Sequence, residues 1–165
     1  MKVGSFEIID SDASSRLEKI VTMLCAAKID ARVVANLEWA QWMKLVWNIP
    51  FNGLAIAGRG LDTEKLLAQP GAEDRIRKIM YEVQAIAGAL GYAITDDFLD
   101  QQIEITRPMK AYRPSSMIDY MEGREVEVDA IWRQPLLKAR VLGVNTPEIE
   151  RLLAEIEQRI EARRN

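Results

Sequence analysis

Trp39-Ala40-Gln41-Trp42-Met43-Lys44-Leu45-Val46-Trp47-Asn48-Ile49-Pro50-Phe51-Asn52 is the stretch whose reading sets the fold class. It lies within a long apolar-rich segment, Leu37 to about Ala57, which Asn36 caps and Gly58-Arg59-Gly60 closes. Lys44, Asn48 and Asn52 recur at i, i+4 and i+8, so a helix sets them along one side with a drift of about 40° per step. Pro50 lacks the N–H that would bond the carbonyl of Val46, and a kink is expected there.

Downstream the chain reads as helix after helix. Asp62 or Thr63 caps a short helix around Leu66-Leu67. Ile76, Ile79, Met80, Val83, Ile86, Ala87 and Leu90 form one apolar face, with Gly91 at the position after the helix end. Thr95 or Asp96 caps a helix that stops before Pro108, and 109–114 is a loop. Ser115 or Ser116 opens a short helix ended by Gly123. Val126 to Leu142 is helical in pattern, with a kink or restart at Pro135 and a stop at Gly143. Asn145-Thr146-Pro147-Glu148 starts a last helix that buries Ile149, Leu152, Leu153, Ile156 and Ile160.

Upstream, Val3–Asp10 and Ile29–Val34 read as short strands. Between them a polar cluster, Ser11–Ser15, leads into a helix from about Ala13 to Lys28, with Leu17, Ile20, Val21 and Leu24 at helical spacing. The expected architecture is mainly α, about seven helices with a short β-containing N-terminal segment. Residues 1–35 read as the strand–helix–strand tail of an α/β unit, and 36–165 as a helical domain.

Composition narrows the chemistry. The 165 residues are 48% hydrophobic and 28% charged with a net charge of −3, typical of a folded domain and against a basic nucleic-acid-binding field. There is no histidine, so acid–base work falls to Lys, Tyr, Cys, Asp or Glu, and a metal site is not expected. The lone Cys25 sits in an apolar run and reads as a buried core thiol. No stretch is long and apolar enough for a membrane span, and no signal peptide follows Met1-Lys2, so the expected compartment is the cytoplasm. Gly58-Arg59-Gly60 lacks the third glycine of a dinucleotide fingerprint and follows a helix, not a strand.

The polar line Lys44–Asn48–Asn52 borders Trp47, Phe51 and Leu54. Amides in apolar company need partners, in the protein or in a ligand, unless the line is an ordinary solvated stripe. The second informative segment runs Pro114-Ser115-Ser116-Met117 through Gly123-Arg124, Glu127 and Asp129, by itself a helix cap and a charged turn. Glu155 and Arg159 are spaced for an i,i+4 ion pair on the last helix.

Together the two segments resemble the ketopantoate reductase family. The W-x-K-x-x-x-N-x-x-x-N run falls on Trp42, Lys44, Asn48 and Asn52. The Ser-Met helix start, the Gly-Arg pair and the acidic residues fall on Ser115-Ser116-Met117, Gly123-Arg124, Glu127 and Asp129, and Gly143-Val144-Asn145-Thr146-Pro147 is similar to the family's close. The resemblance implies an NADPH-dependent 2-keto acid reductase, of the type that turns 2-dehydropantoate into pantoate on the route to pantothenate and coenzyme A. Lys44 would give the proton to the ketone oxygen, Asn48 and Asn52 would hold the hydroxyl and carboxylate, and Glu127 would lie near the nicotinamide ribose. The substrate serine is Ser115 by its 12-residue spacing to Glu127, or Ser116 by its pairing with Met117.

The family's glycine-rich nucleotide-binding half does not occur in this sequence. The resemblance therefore implies half an active site, inactive alone, whose partners are a small 2-keto acid and either a second copy or a separate nucleotide-binding half. The alternative is a stand-alone helical dimerisation or binding module, presenting exposed Trp39, Trp42 and Trp47.

Overall fold

The computed structural model describes Phe6–Ile8 and residues 14–164. The outer parts of the first expected strand, and the expected cap cluster before Ser14, lie outside the described residues. The chain divides into two compact units, 1–41 and 42–165.

In the first unit, β1 (Phe6–Ile8) pairs in parallel with β2 (Ala31–Val33), Phe6 opposite Ala31 and Ile8 opposite Val33. The strands are joined by α1 (Ser14–Ala26). This helix stops two residues short of Lys28, which turns left-handed (φ 61°) while the Ile29 N–H donates back to the Leu24 carbonyl. Cys25 is exposed, not buried as its apolar neighbours suggest. The buried stripe runs through Leu17, and at 3.6 residues per turn Cys25 lies roughly 80° away from it. Asn36 does cap the next helix, its Oδ1 accepting the Trp39 N–H at 2.9 Å.

α2 (Leu37–Ala57) runs through Pro50 without interruption. From Ile49 to Ile56 every residue is buried, so this half of the helix faces protein on all sides. Trp42 is 5% exposed, and Trp39 and Trp47 are half-buried, which corrects the expectation of three exposed tryptophans: Trp42 and Trp47 pack into the core of the second unit. Around α2 stand α3 (Thr63–Leu67), α4 (Ala72–Ala89), α5 (Asp96–Thr106), α6 (Ser115–Met121), α7 (Gln134–Leu142) and α8 (Pro147–Arg164). A 3-10 turn follows α5 at Arg107–Met109. The described residues thus form eight α-helices and one small parallel strand pair.

The Val126–Leu142 segment, expected to be helical with a kink or restart at Pro135, becomes helical only from Val128. Residues 124–127 are irregular, Asp129–Arg133 form a π turn, and that turn runs directly into α7, which carries Pro135 in its first turn. In that π turn Trp132 is fully buried, and its indole N–H donates to the Ile49 carbonyl at 3.1 Å. Gly53, one turn on, makes room: a Cβ there would sit 2.6 Å from Leu152 Cδ2 and 3.0 Å from Trp132 Nε1.

α4 and α8 are locked by charge. The Arg75 guanidinium bonds both Glu155 oxygens, at 3.0 and 3.1 Å, and Glu148 at 3.1 Å. Glu155 therefore serves Arg75 and Arg151 rather than Arg159, whose Nε instead donates to the Ala57 carbonyl at the end of α2. Among the described residues, no helix is long and apolar enough to cross a membrane.

Candidate active site

The polar line on α2 descends from solvent into the core. Lys44 is exposed, Asn48 half-buried and Asn52 only 1% exposed. It is therefore not a solvated stripe: each step of one helical turn moves the side chain deeper, because α2 enters the core end-on from residue 49. Asn52 Oδ1 accepts the backbone N–H of Ser116 at 2.9 Å. That amide belongs to the first turn of α6 and has no partner within its own helix. Pro114 is the N-cap and has no side-chain acceptor, so Asn52 supplies the cap from 64 residues away. Ser116 is buried beside this bond while the Ser115 side chain is exposed.

Lys44 and Asn48 line one groove of about 310 Å³. Its other walls are Met43 and Trp47 from α2, Gln102 and Ile105 from α5, and Met109 and Tyr112 from the segment that follows. Trp47 is fixed on two sides. Its ring stacks on Phe51 (centroids 4.8 Å apart), and its N–H donates to Thr106 Oγ1 at 2.8 Å. Thr106 in turn donates to the Gln102 carbonyl at 2.7 Å. The Tyr112 ring meets Trp47 edge-on at 6.1 Å. Among the described residues no carboxylate pairs with Lys44, so its ammonium is available to a ligand's negative charge.

Glu127 is exposed and lines a different, wider concavity of about 1250 Å³. The arginines there are already engaged. Arg133 pairs with Glu157, Arg124 with Asp119, and Arg163 lies over the Tyr120 ring at 5.1 Å while donating to the Tyr120 and Arg124 carbonyls. The structure thus brings Lys44 and Asn48 into one groove, joins Asn52 to Ser116 behind it, and sets Glu127 apart. No group of three or more His, Cys, Asp or Glu side chains among the described residues is placed to hold a metal.

Sequence reasoning missed Gln102, Ile105, Met109 and Tyr112. Nothing in their local pattern links α5 and the loop after Pro108 to α2. The aromatic pair Trp47 and Tyr112 is the only signal they leave, and its meaning depends on the fold.

Residues 36–160 match the family described as "Ketopantoate reductase PanE/ApbA C terminal". A 2-dehydropantoate 2-reductase from Nostoc sp. (strain PCC 7120) is 38% identical over 143 residues, covering 87% of this chain and 44% of the relative. The crystal structure of 2-dehydropantoate 2-reductase from Geobacter metallireducens GS-15 superposes with a TM-score of 0.87 at 37% identity, covering 94% of this chain and 53% of that one. The ternary structure of D-mandelate dehydrogenase with NADH and anilino(oxo)acetate shares the fold at 17% identity, with a TM-score of 0.86 and coverage of 96% and 52%. The chain spans about half the length of the relatives it matches. The matched region contains Lys44, Asn48, Asn52, Ser115, Ser116 and Glu127, and the chain belongs to the ketopantoate reductase C-terminal family.

Proposed function

We propose that this chain is the helical half of a two-domain NADPH-dependent 2-keto acid reductase of the 2-dehydropantoate-to-pantoate type, with the side-chain preference for its keto acid set by the groove beside Lys44. On this reading residues 1–35 are the last strand–helix–strand of the nucleotide-binding unit and 36–165 the substrate-binding domain. The observation that carries it is Lys44: an ammonium with no carboxylate partner among the described residues, one helical turn from the Asn48 amide, on the wall of a groove sized for a small molecule.

The nicotinamide supplies hydride when bound. Reducing a ketone builds negative charge on its oxygen, and the Lys44 ammonium both stabilises that charge and gives up the proton from Nζ. No histidine is needed, which fits a chain that has none. Asn48 offers a donor and an acceptor to the hydroxy acid. Asn52, spent on the Ser116 N–H through its oxygen, keeps α6 against α2 and so sets Ser115 and Ser116. Of a dinucleotide's binding groups this chain offers Glu127, an exposed acceptor suited to ribose hydroxyls. The sequence carries no glycine-rich loop, so the phosphates fall to the other half. A cytoplasmic location accords with that chemistry.

The test joins this chain to a nucleotide-binding half and follows NADPH oxidation with 2-dehydropantoate. Lys44→Ala lowers kcat by roughly 10²- to 10⁴-fold with the fold intact; undiminished turnover in that variant ends the assignment.

A second reading, a helical association module, has one observation in its favour. On α7, Val141 is 87% and Leu137 49% exposed, and with Leu90 and Leu142 they border a depression of about 300 Å³. Sedimentation across concentrations tests it: a chain that stays monomeric at high concentration rules out self-association through this face.

A further inference from the structure

We infer that Trp47, Ile105, Met109 and Tyr112 form a rigid apolar wall that reads the side chain of the carbonyl acid, and that the groove favours 2-oxo acids with a large flat apolar group. This rests on the reading that Lys44 and Asn48 hold the acid's polar end. The two ends of the groove differ in chemistry: the Lys44 ammonium and the Asn48 amide on one side, and aromatic, aliphatic and thioether surface on the other. A ligand matched to both carries an anionic head and an apolar tail.

The wall is held in place. Thr63, 1% exposed at the start of α3, clasps the loop on both sides of Ala111. Its Oγ1 donates to the Lys110 carbonyl at 2.6 Å, and its N–H donates to the Tyr112 carbonyl at 2.9 Å. Between these bonds and the 3-10 turn, Lys110 adopts φ 54° and ψ −130°, a conformation that side-chain-bearing residues avoid. Such a backbone persists only where its surroundings over-determine it. Here they set Tyr112 edge-on against Trp47, which Phe51 and Thr106 fix from behind. A wall preset in this way binds an apolar group without an ordering cost at the moment of binding.

The experiment titrates this chain, as it is, with phenylpyruvate and with pyruvate, using calorimetry and ligand-detected NMR. The two acids share the head and differ by a phenyl ring. Covering the ring makes phenylpyruvate tighter by roughly tenfold to a hundredfold. Tyr112→Ser and Met109→Ser, at exposed positions that leave the fold undisturbed, bring the two acids to near-equal affinity. Thr63→Val weakens the same preference without touching the ligand, and Lys44→Ala weakens both acids alike. Equal binding of the two acids by the wild-type chain, no detectable phenylpyruvate binding, or a preference that survives both serine variants overturns the inference. If Lys44→Ala changes neither acid while Tyr112→Ser still abolishes the preference, the wall stands and the anchoring role of Lys44 fails.

Discussion

Gly53→Ala separates local propensity from packing, because the two predict opposite signs. In a helix interior, alanine is better than glycine by about 0.8–1.0 kcal/mol. At position 53 the added Cβ would lie 2.6 Å from Leu152 Cδ2, 2.9 Å from Leu152 Cγ and 3.0 Å from Trp132 Nε1. Leu152 and Trp132 are both fully buried, so neither can move aside into solvent. Overpacking of this kind costs about 1–3 kcal/mol. Displacing the indole from the Ile49 carbonyl loses a further ~0.5–1.5 kcal/mol. The net expectation is destabilisation of about 2 kcal/mol. Gly88 in α4 is the control: it is exposed, a Cβ there meets nothing within 4 Å, and Gly88→Ala gains about 1 kcal/mol from propensity alone. Urea unfolding of the three proteins decides, with unchanged m-values showing that the native states are comparable. A Gly53→Ala chain at least as stable as wild type refutes the close approach of α2 to α8 and Trp132.

Asn52→Leu strands the Ser116 N–H in the core and costs about 1–3 kcal/mol in urea unfolding; an unaffected variant would mean that the α6 start does not depend on this cap. Burial pushes the Glu82 carboxyl above its usual 4.5; its two amide bonds to α8 oppose that, and the charges of Glu148 and Glu150 add to it. The folded chain then keeps this proton to higher pH than the unfolded chain. Stability from Glu82 is therefore present below pH 4.5 and lost as pH rises through the raised folded value. Measured against non-titrating Glu82→Gln, wild type loses relative stability over that interval, and a flat difference would reject the shift.

Much of the fold is legible because helix ends and faces are local. Asn36 caps α2 through the Trp39 N–H, Thr95 rather than Asp96 caps α5, and Gly143 closes α7 at φ 70°. Local pattern failed at Cys25, where the apolar run around it says nothing about which way a helix faces, and at Val126–Arg133, where the π turn around Trp132 answers to α2. It also failed at Glu155, spaced for Arg159 but taken by Arg75 from α4.

The candidate site divides along the same line. The spacing of Lys44, Asn48 and Asn52 is a property of one helix, and so the sequence by itself determined that they share a side. That Lys44 is exposed while Asn52 is sealed, and that Asn52 caps α6 while Glu82 caps α8 by accepting the Glu148 and Ile149 N–H groups at 2.8 Å, only the tertiary structure decided. Backbone conformation over a few residues follows from those residues' own sterics and hydrogen bonds. Partners 64 to 67 positions apart meet only when helices pack, and packing is set by the whole apolar surface at once.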